Sequence, residues 1–148
     1  MIRPQLALLL IVTVVSSAGA QAKPLDPGRL LGCYSFTWGR GSNMRPSFPD
    51  TVRLTRDSTS SLFRGVYRAR TSSSWEQKAP PSEYIWGVGG DTITISKTDG
   101  YVGTSLRLRV VGEGLVGRGS QWTDVIDAKH PPPEWPVTGH RVECPKDL

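Results

Sequence analysis

From residue 30 onward, apolar and polar positions change places every second residue in short runs. That is the period of a pleated strand with one buried face. The first run, 30–38, sets Tyr34, Phe36 and Trp38 against Cys33, Ser35 and Thr37. The second, 51–56, turns Val52 and Leu54 inward, and the third, 61–70, opposes Phe63 and Tyr67 to Arg64, Arg68 and Arg70. Further strands are predicted over 84–88, 92–97, 101–111, 115–122 and 137–144. They add Tyr84, Trp86, Ile93, Ile95, Leu106, Leu108, Val110 and Trp122 to the inward set, with Arg107 and Arg109 facing out.

The punctuation between these runs is of two kinds. Gly89-Gly90-Asp91, Asp99-Gly100 and Gly112-Glu113-Gly114 are tight-turn signals, because glycine accepts the positive φ that such turns demand. The stretches 39–49, 71–81 and the Pro-rich 124–136 read as longer loops, with a short turn of helix allowed around 124–129. No segment after the leader keeps apolar residues at helical spacing over three turns, so the expected class is all-β. Eight strands joined mostly by short turns form a meander. Rolling it into a single antiparallel up-and-down barrel removes both unpaired edges. A two-layer β-sandwich satisfies the same alternation and is the alternative.

The first twenty residues have another logic. Arg3, the apolar run 6–15 and the small residues up to Ala20, with Ala18-Gly19-Ala20 as an A-x-A site, make a secretory signal peptide. The run falls short of the about 20 residues that span a bilayer. The expected organisation is a leader over 1–20, a short linker over 21–29 and one barrel domain over 30–145. The destination is periplasmic or extracellular. Leu30-Leu31-Gly32-Cys33 imitates a lipoprotein acylation site, but four charged or polar residues, Gln21, Lys23, Asp26 and Arg29, separate it from the apolar run, and it is read as accidental.

Export makes a disulfide of the two cysteines, Cys33 and Cys144. They lie on the first and last predicted strands, which are neighbours in a closed meander, and a disulfide needs its Cα atoms within roughly 7 Å. Closure and bond therefore predict each other. One conflict remains in the alternation: Cys33 faces away from the inward aromatics, whereas Cys144 shares a face with Val142, an expected core residue. Either a bulge near Glu143 shifts the register, or Cys144 lies past the strand.

Gly32-Cys33-Tyr34 at the start of the first strand resembles the G-x-W signature of lipocalins and related calycin barrels, with tyrosine in the tryptophan position. The family's late basic residue, which packs across that aromatic ring at the barrel base, has its match in Arg141. The resemblance covers only these two ends, and short loops stand where the family has a helix before the final strand. It implies an eight-stranded antiparallel barrel with an apolar ligand in its mouth.

Charge and candidate chemistry change this picture little. The net charge of +5 is spread along the chain and does not build a nucleic-acid footprint. The two histidines, His130 and His140, stand apart, and no metal-ligand spacing or cofactor motif occurs. No G-x-S-x-G elbow or phosphate loop is present. The carboxylates Asp124, Asp127, Glu76 and Glu83 read as solvated loop residues. The arginines at 64, 68, 70, 107 and 109 read as solvating outer faces; in a contiguous stripe they would instead bind anions. Five tryptophans make aromatics the best functional candidates. Trp38 and Trp86 read as core, and Trp75 and Trp135 as loop residues that lid a barrel mouth or pack on its wall.

The expected function is non-catalytic binding of a small lipophilic or amphipathic ligand by a lipocalin-like monomer. The candidate ligand set is Tyr34, Phe36, Trp38, Tyr67, Tyr84, Trp86 and Trp75, with Tyr34 and Arg141 also packing the base. The alternative is an interaction module that lays an outer basic face on an envelope surface. No residue constellation supports an enzyme.

Overall fold

The computed structural model describes residues 24–39, 47–72, 82–124 and 131–148. The leader over 1–20, Trp75, Glu76, Asp127, His130 and most of the helical turn expected over 124–129 lie outside the described residues.

Eight antiparallel strands close into one up-and-down barrel. They are β1 (Gly32–Trp38), β2 (Thr51–Thr59), β3 (Tyr67–Arg70), β4 (Glu83–Gly89), β5 (Thr92–Thr98), β6 (Val102–Val111), β7 (Gly114–Thr123) and β8 (Glu134–Val142). Each strand pairs with its chain neighbours, and β8 returns to β1 with Tyr34 opposite Arg141 and Trp38 opposite Val137. Before β1, the 3₁₀ turn Pro27–Leu30 is started by Asp26, whose carboxylate accepts the Gly28 N–H at 2.9 Å. The described residues contain no α-helix. Gly90 and Gly112 hold positive φ (63° and 60°) in the β4–β5 and β6–β7 turns, the conformation these hairpins require.

The alternation in β1, β2, β4, β5 and β6 becomes the core. Val52, Ile93, Ile95, Leu106 and Leu108 are wholly excluded from water, and Tyr34, Phe36, Leu54, Tyr84 and Trp86 nearly so. Their opposite wall is thin, because the inward positions of β7 and β8 include Gly117, Gly119 and Gly139. The aromatic rings of β1 reach across and lie on that backbone. A Cβ on Gly119 would come within 2.6 Å of the Trp38 ring, and one on Gly139 within 2.8 Å of the Phe36 ring. Side chains thus fill the centre of the barrel.

The disulfide forms, with Cys33 and Cys144 Cα atoms 5.2 Å apart. The register conflict resolves in an unexpected way. Val137, Gly139 and Arg141 share the inward face of β8, so Val142 faces out beside its partner Cys33 and is 36% exposed. Cys144 lies just past the strand, on the same outer side. The cross-link itself covers Cys33, which is 1% exposed despite its outward direction.

Four other expectations need correction. Phe63 is not on a strand: β2 runs on to Thr59, residues 60–66 form a strap, and Phe63 is exposed. Val110 keeps the inward phase of β6, but β6 outruns β5, whose pairing ends at Thr92 opposite Arg109. Val110 therefore projects past the barrel end, 40% exposed. Trp122 faces outward, because Leu115, Gly117 and Gly119 take the inward phase of β7. Trp135 belongs to β8, which starts at Glu134 despite Pro136, and it is buried against Trp38 with ring centroids 6.3 Å apart.

The strap explains two buried residues on an outer wall. Ser60 Oγ and Ser61 Oγ donate to the Glu83 carboxylate at 2.5 and 2.6 Å, and the Ser61 N–H does so at 3.2 Å. Val66 packs over Gly87, where a Cβ would lie 3.1 Å from its Cγ1. Glu83, expected as a solvated loop residue, is instead the first residue of β4, and it and Ile85 are covered as a result.

Candidate functional site

The two ends of the barrel differ in kind. At the base, the Arg141 guanidinium sits over the Tyr34 ring, 5.4 Å from its centroid, and donates to the Tyr34 hydroxyl at 3.0 Å and the Arg29 carbonyl at 2.8 Å. That ties β8 to β1 and both to the 3₁₀ turn. Leu30 of the turn is buried, and Leu25 N–H donates to the Gly90 carbonyl at 3.0 Å, carrying the segment across to the β4–β5 turn. The base is shut by a cation, a ring and a strap of backbone.

The aromatic ligand set divides among three places. Tyr34 belongs to this base. Phe36, Tyr84 and Trp86 stand in the filled centre, where the Trp86 indole N–H is spent on the Thr55 carbonyl at 2.8 Å. Tyr67 is half-buried beside Trp86, centroids 5.3 Å apart, with the Arg56 guanidinium 5.2 Å from its ring centroid. Trp38 lies under one half of the mouth in a cluster with Trp135 and Phe48, the rings meeting edge to face. Phe48, from a stretch the sequence marks as a polar loop, is 2% exposed and plugs that half.

The other half of the mouth is open and polar. Reading across β5, β6 and β7, the inward rows are Ile93–Leu108–Gly117, then Ile95–Leu106–Gly119, then Lys97–Thr104–Gln121. Two apolar rows therefore give way to a polar one within a single pleat. There a cleft of about 360 Å³ opens, lined by Ser82, Lys97, Val102, Thr104, Gln121 and Trp122 among others. None of the predicted aromatic ligand residues among the described residues lines it. The signal was present: a polar residue occupied the inward phase at 97 and again at 104.

Trp122 forms the outer lip of the cleft. Its ring lies on Gly103, where a Cβ would be 2.7 Å away, and its N–H donates to Ser105 Oγ at 2.8 Å, which lies 2.7 Å from Ser96 Oγ. The nearby Asp99 carboxylate is committed to its turn. It accepts the N–H groups of Val102 and Tyr101 at 3.0 and 2.9 Å, and these bonds hold its pKa below the ordinary aspartate value. Glu83, at the start of β4, behaves similarly. Burial raises its pKa, but the Ser60 and Ser61 bonds and the Arg68 charge outweigh that and lower it below the ordinary glutamate value. Neither acid is poised as a proton donor at neutral pH.

Among the described residues, no three histidine, cysteine, aspartate or glutamate side chains gather into a metal-binding group. What the arrangement can do is hold a small molecule between hydroxyl, amide and ammonium groups on one side and an indole edge on the other. No protein-family model, curated protein or solved structure matches the chain.

Proposed function

We propose that the protein is an exported, non-catalytic, lipocalin-like binder of a small amphipathic ligand, held at the mouth of the barrel above a filled centre. One observation carries the reading: the inward phase turns from Ile95–Leu106 to Lys97–Thr104–Gln121 where the cleft opens. The cleft volume of about 360 Å³ falls at the small end of ligand sites. Lys97 favours a ligand carrying a negative charge, and Val102 with Trp122 provides the apolar side. The leader over 1–20 and the Cys33–Cys144 bond support a setting outside the cytoplasm.

The test uses anilinonaphthalene sulfonate, an amphipathic anion that brightens on leaving water, titrated into the mature protein. Saturable binding is expected, weakened about fivefold by Gln121→Ala or Lys97→Ala, the equivalent of about 1 kcal/mol. Binding insensitive to both substitutions, or no binding at all, would overturn the proposal.

A further inference from the structure

The outer wall of the same three strands carries a second recess. A groove of about 530 Å³ runs over β5, β6 and β7, floored by the backbone near Leu108 and Gly117. Arg107, Arg109 and Arg118 line it with the hydroxyls of Thr94 and Ser120 and the methyls of Val116. Arg107 and Arg118 face each other directly in the β6–β7 register. Like charges so placed destabilise a sheet.

The contrast with the other cross-strand arginine pair is instructive. Arg53 opposite Arg70 is relieved at both members, since Arg53 donates to the Leu148 carbonyl at 2.8 Å and Arg70 is bonded to Asp57. In the groove, Arg118 meets Glu134 at 2.6 Å and Arg109 meets Asp91 at 3.3 Å. Arg107, between them, makes no ion pair among the described residues. Both existing pairs are solvent-exposed, so each is worth little and can be exchanged for another anion.

We propose that this groove binds an acidic glycan strand. Arginine forks match carboxylates two bonds at a time. Successive outward arginines on β6 stand about 6.6–6.8 Å apart along the strand, and Arg118 extends the array onto β7. The threonine and serine hydroxyls suit sugar hydroxyls, and no aromatic ring among the described residues lines the groove to stack a nucleobase. A recess with its charges on the walls fits a strand laid along it better than a flat membrane.

Polygalacturonate is the probe, with uncharged dextran as the blank, measured by calorimetry on the full mature chain at low salt. Arg107→Gln with Arg118→Gln should weaken binding about tenfold. The charge-matched control, Arg64→Gln with Lys146→Gln, removes two exposed cations elsewhere and should change it less than twofold, as a non-specific charge effect would not. Melting curves establish that both variants fold, and Arg107→Lys with Arg118→Lys serves as a second pair that keeps the charge but loses the forks; it should recover only part of the affinity. Equal losses in groove and control variants, absence of wild-type binding, or tighter binding to phosphatidylglycerol vesicles than to the polymer would each overturn the proposal.

Discussion

The base and the mouth of this barrel are made from the same strands, yet they answer to different physics. At the base, the described residues make several contacts back onto the protein: Arg141 on Tyr34 and Arg29, Leu25 on Gly90, Cys33 on Cys144. At the open half of the mouth, Lys97, Thr104 and Gln121 stand on the inward phase and line a recess. An end that consumes its own polar groups is a structural closure. An end that lines a recess with polar side chains is where the proposed function places the ligand. Substitutions at the base should therefore cost stability, and those at the mouth should cost binding.

The largest effect belongs to the disulfide. It closes a separation of 111 residues, and replacing both cysteines by serine should destabilise the protein by about 3–5 kcal/mol, read by urea unfolding with and without reductant. A loss below about 1 kcal/mol would mean that the paired β1–β8 ladder closes the barrel unaided.

Glu83 blurs the division usefully, since it begins β4 at the mouth end but works structurally, anchoring the strap through Ser60 and Ser61. Glu83→Gln should cost about 2 kcal/mol at neutral pH. Because the folded-state pKa is lowered, the carboxylate's contribution is fully present above the unfolded value of about 4.3 and is lost as pH falls through the folded value. Wild type and variant should converge in stability only in that acid range. A gap that stayed constant to low pH would refute the assignment.

Arg141→Ala should cost about 1 kcal/mol, from a cation–π contact and two donated bonds at a solvent-facing site, and should leave dye binding unchanged. Smallest of all on stability is Gln121→Ala, expected within about 0.5 kcal/mol of wild type, although it weakens dye binding. A reversal of these two results would exchange the roles of the two ends.

The sequence made the base legible and the mouth largely not, for a local reason. Tyr34, Cys33 and Arg141 sit on strands whose partners follow from closure alone, and Cys144 lies two residues past the last of them. The alternation of Ile93 with Ile95 and Leu106 with Leu108 states its own inward phase. β7 hides its phase, because Gly117 and Gly119 occupy inward positions that glycines leave blank, and the outward Trp122 supplies the only large ring. Phe48 and the strap at 60–66 depend on contacts with distant elements, Phe36 and Trp38 for one, Glu83 for the other. Residue periodicity does not encode those contacts. The mouth row was visible letter by letter, but its meaning needed the register that aligns Lys97, Thr104 and Gln121.

The central claim is a filled centre with the ligand site above it, and a backbone amide and indole NMR titration with anilinonaphthalene sulfonate tests it most directly. Saturating shifts are expected at Lys97, Thr104, Gln121 and the Trp122 indole, with Trp86 and Phe36 unmoved. Largest shifts at Trp86 and Phe36 would place the ligand inside the barrel and contradict the account.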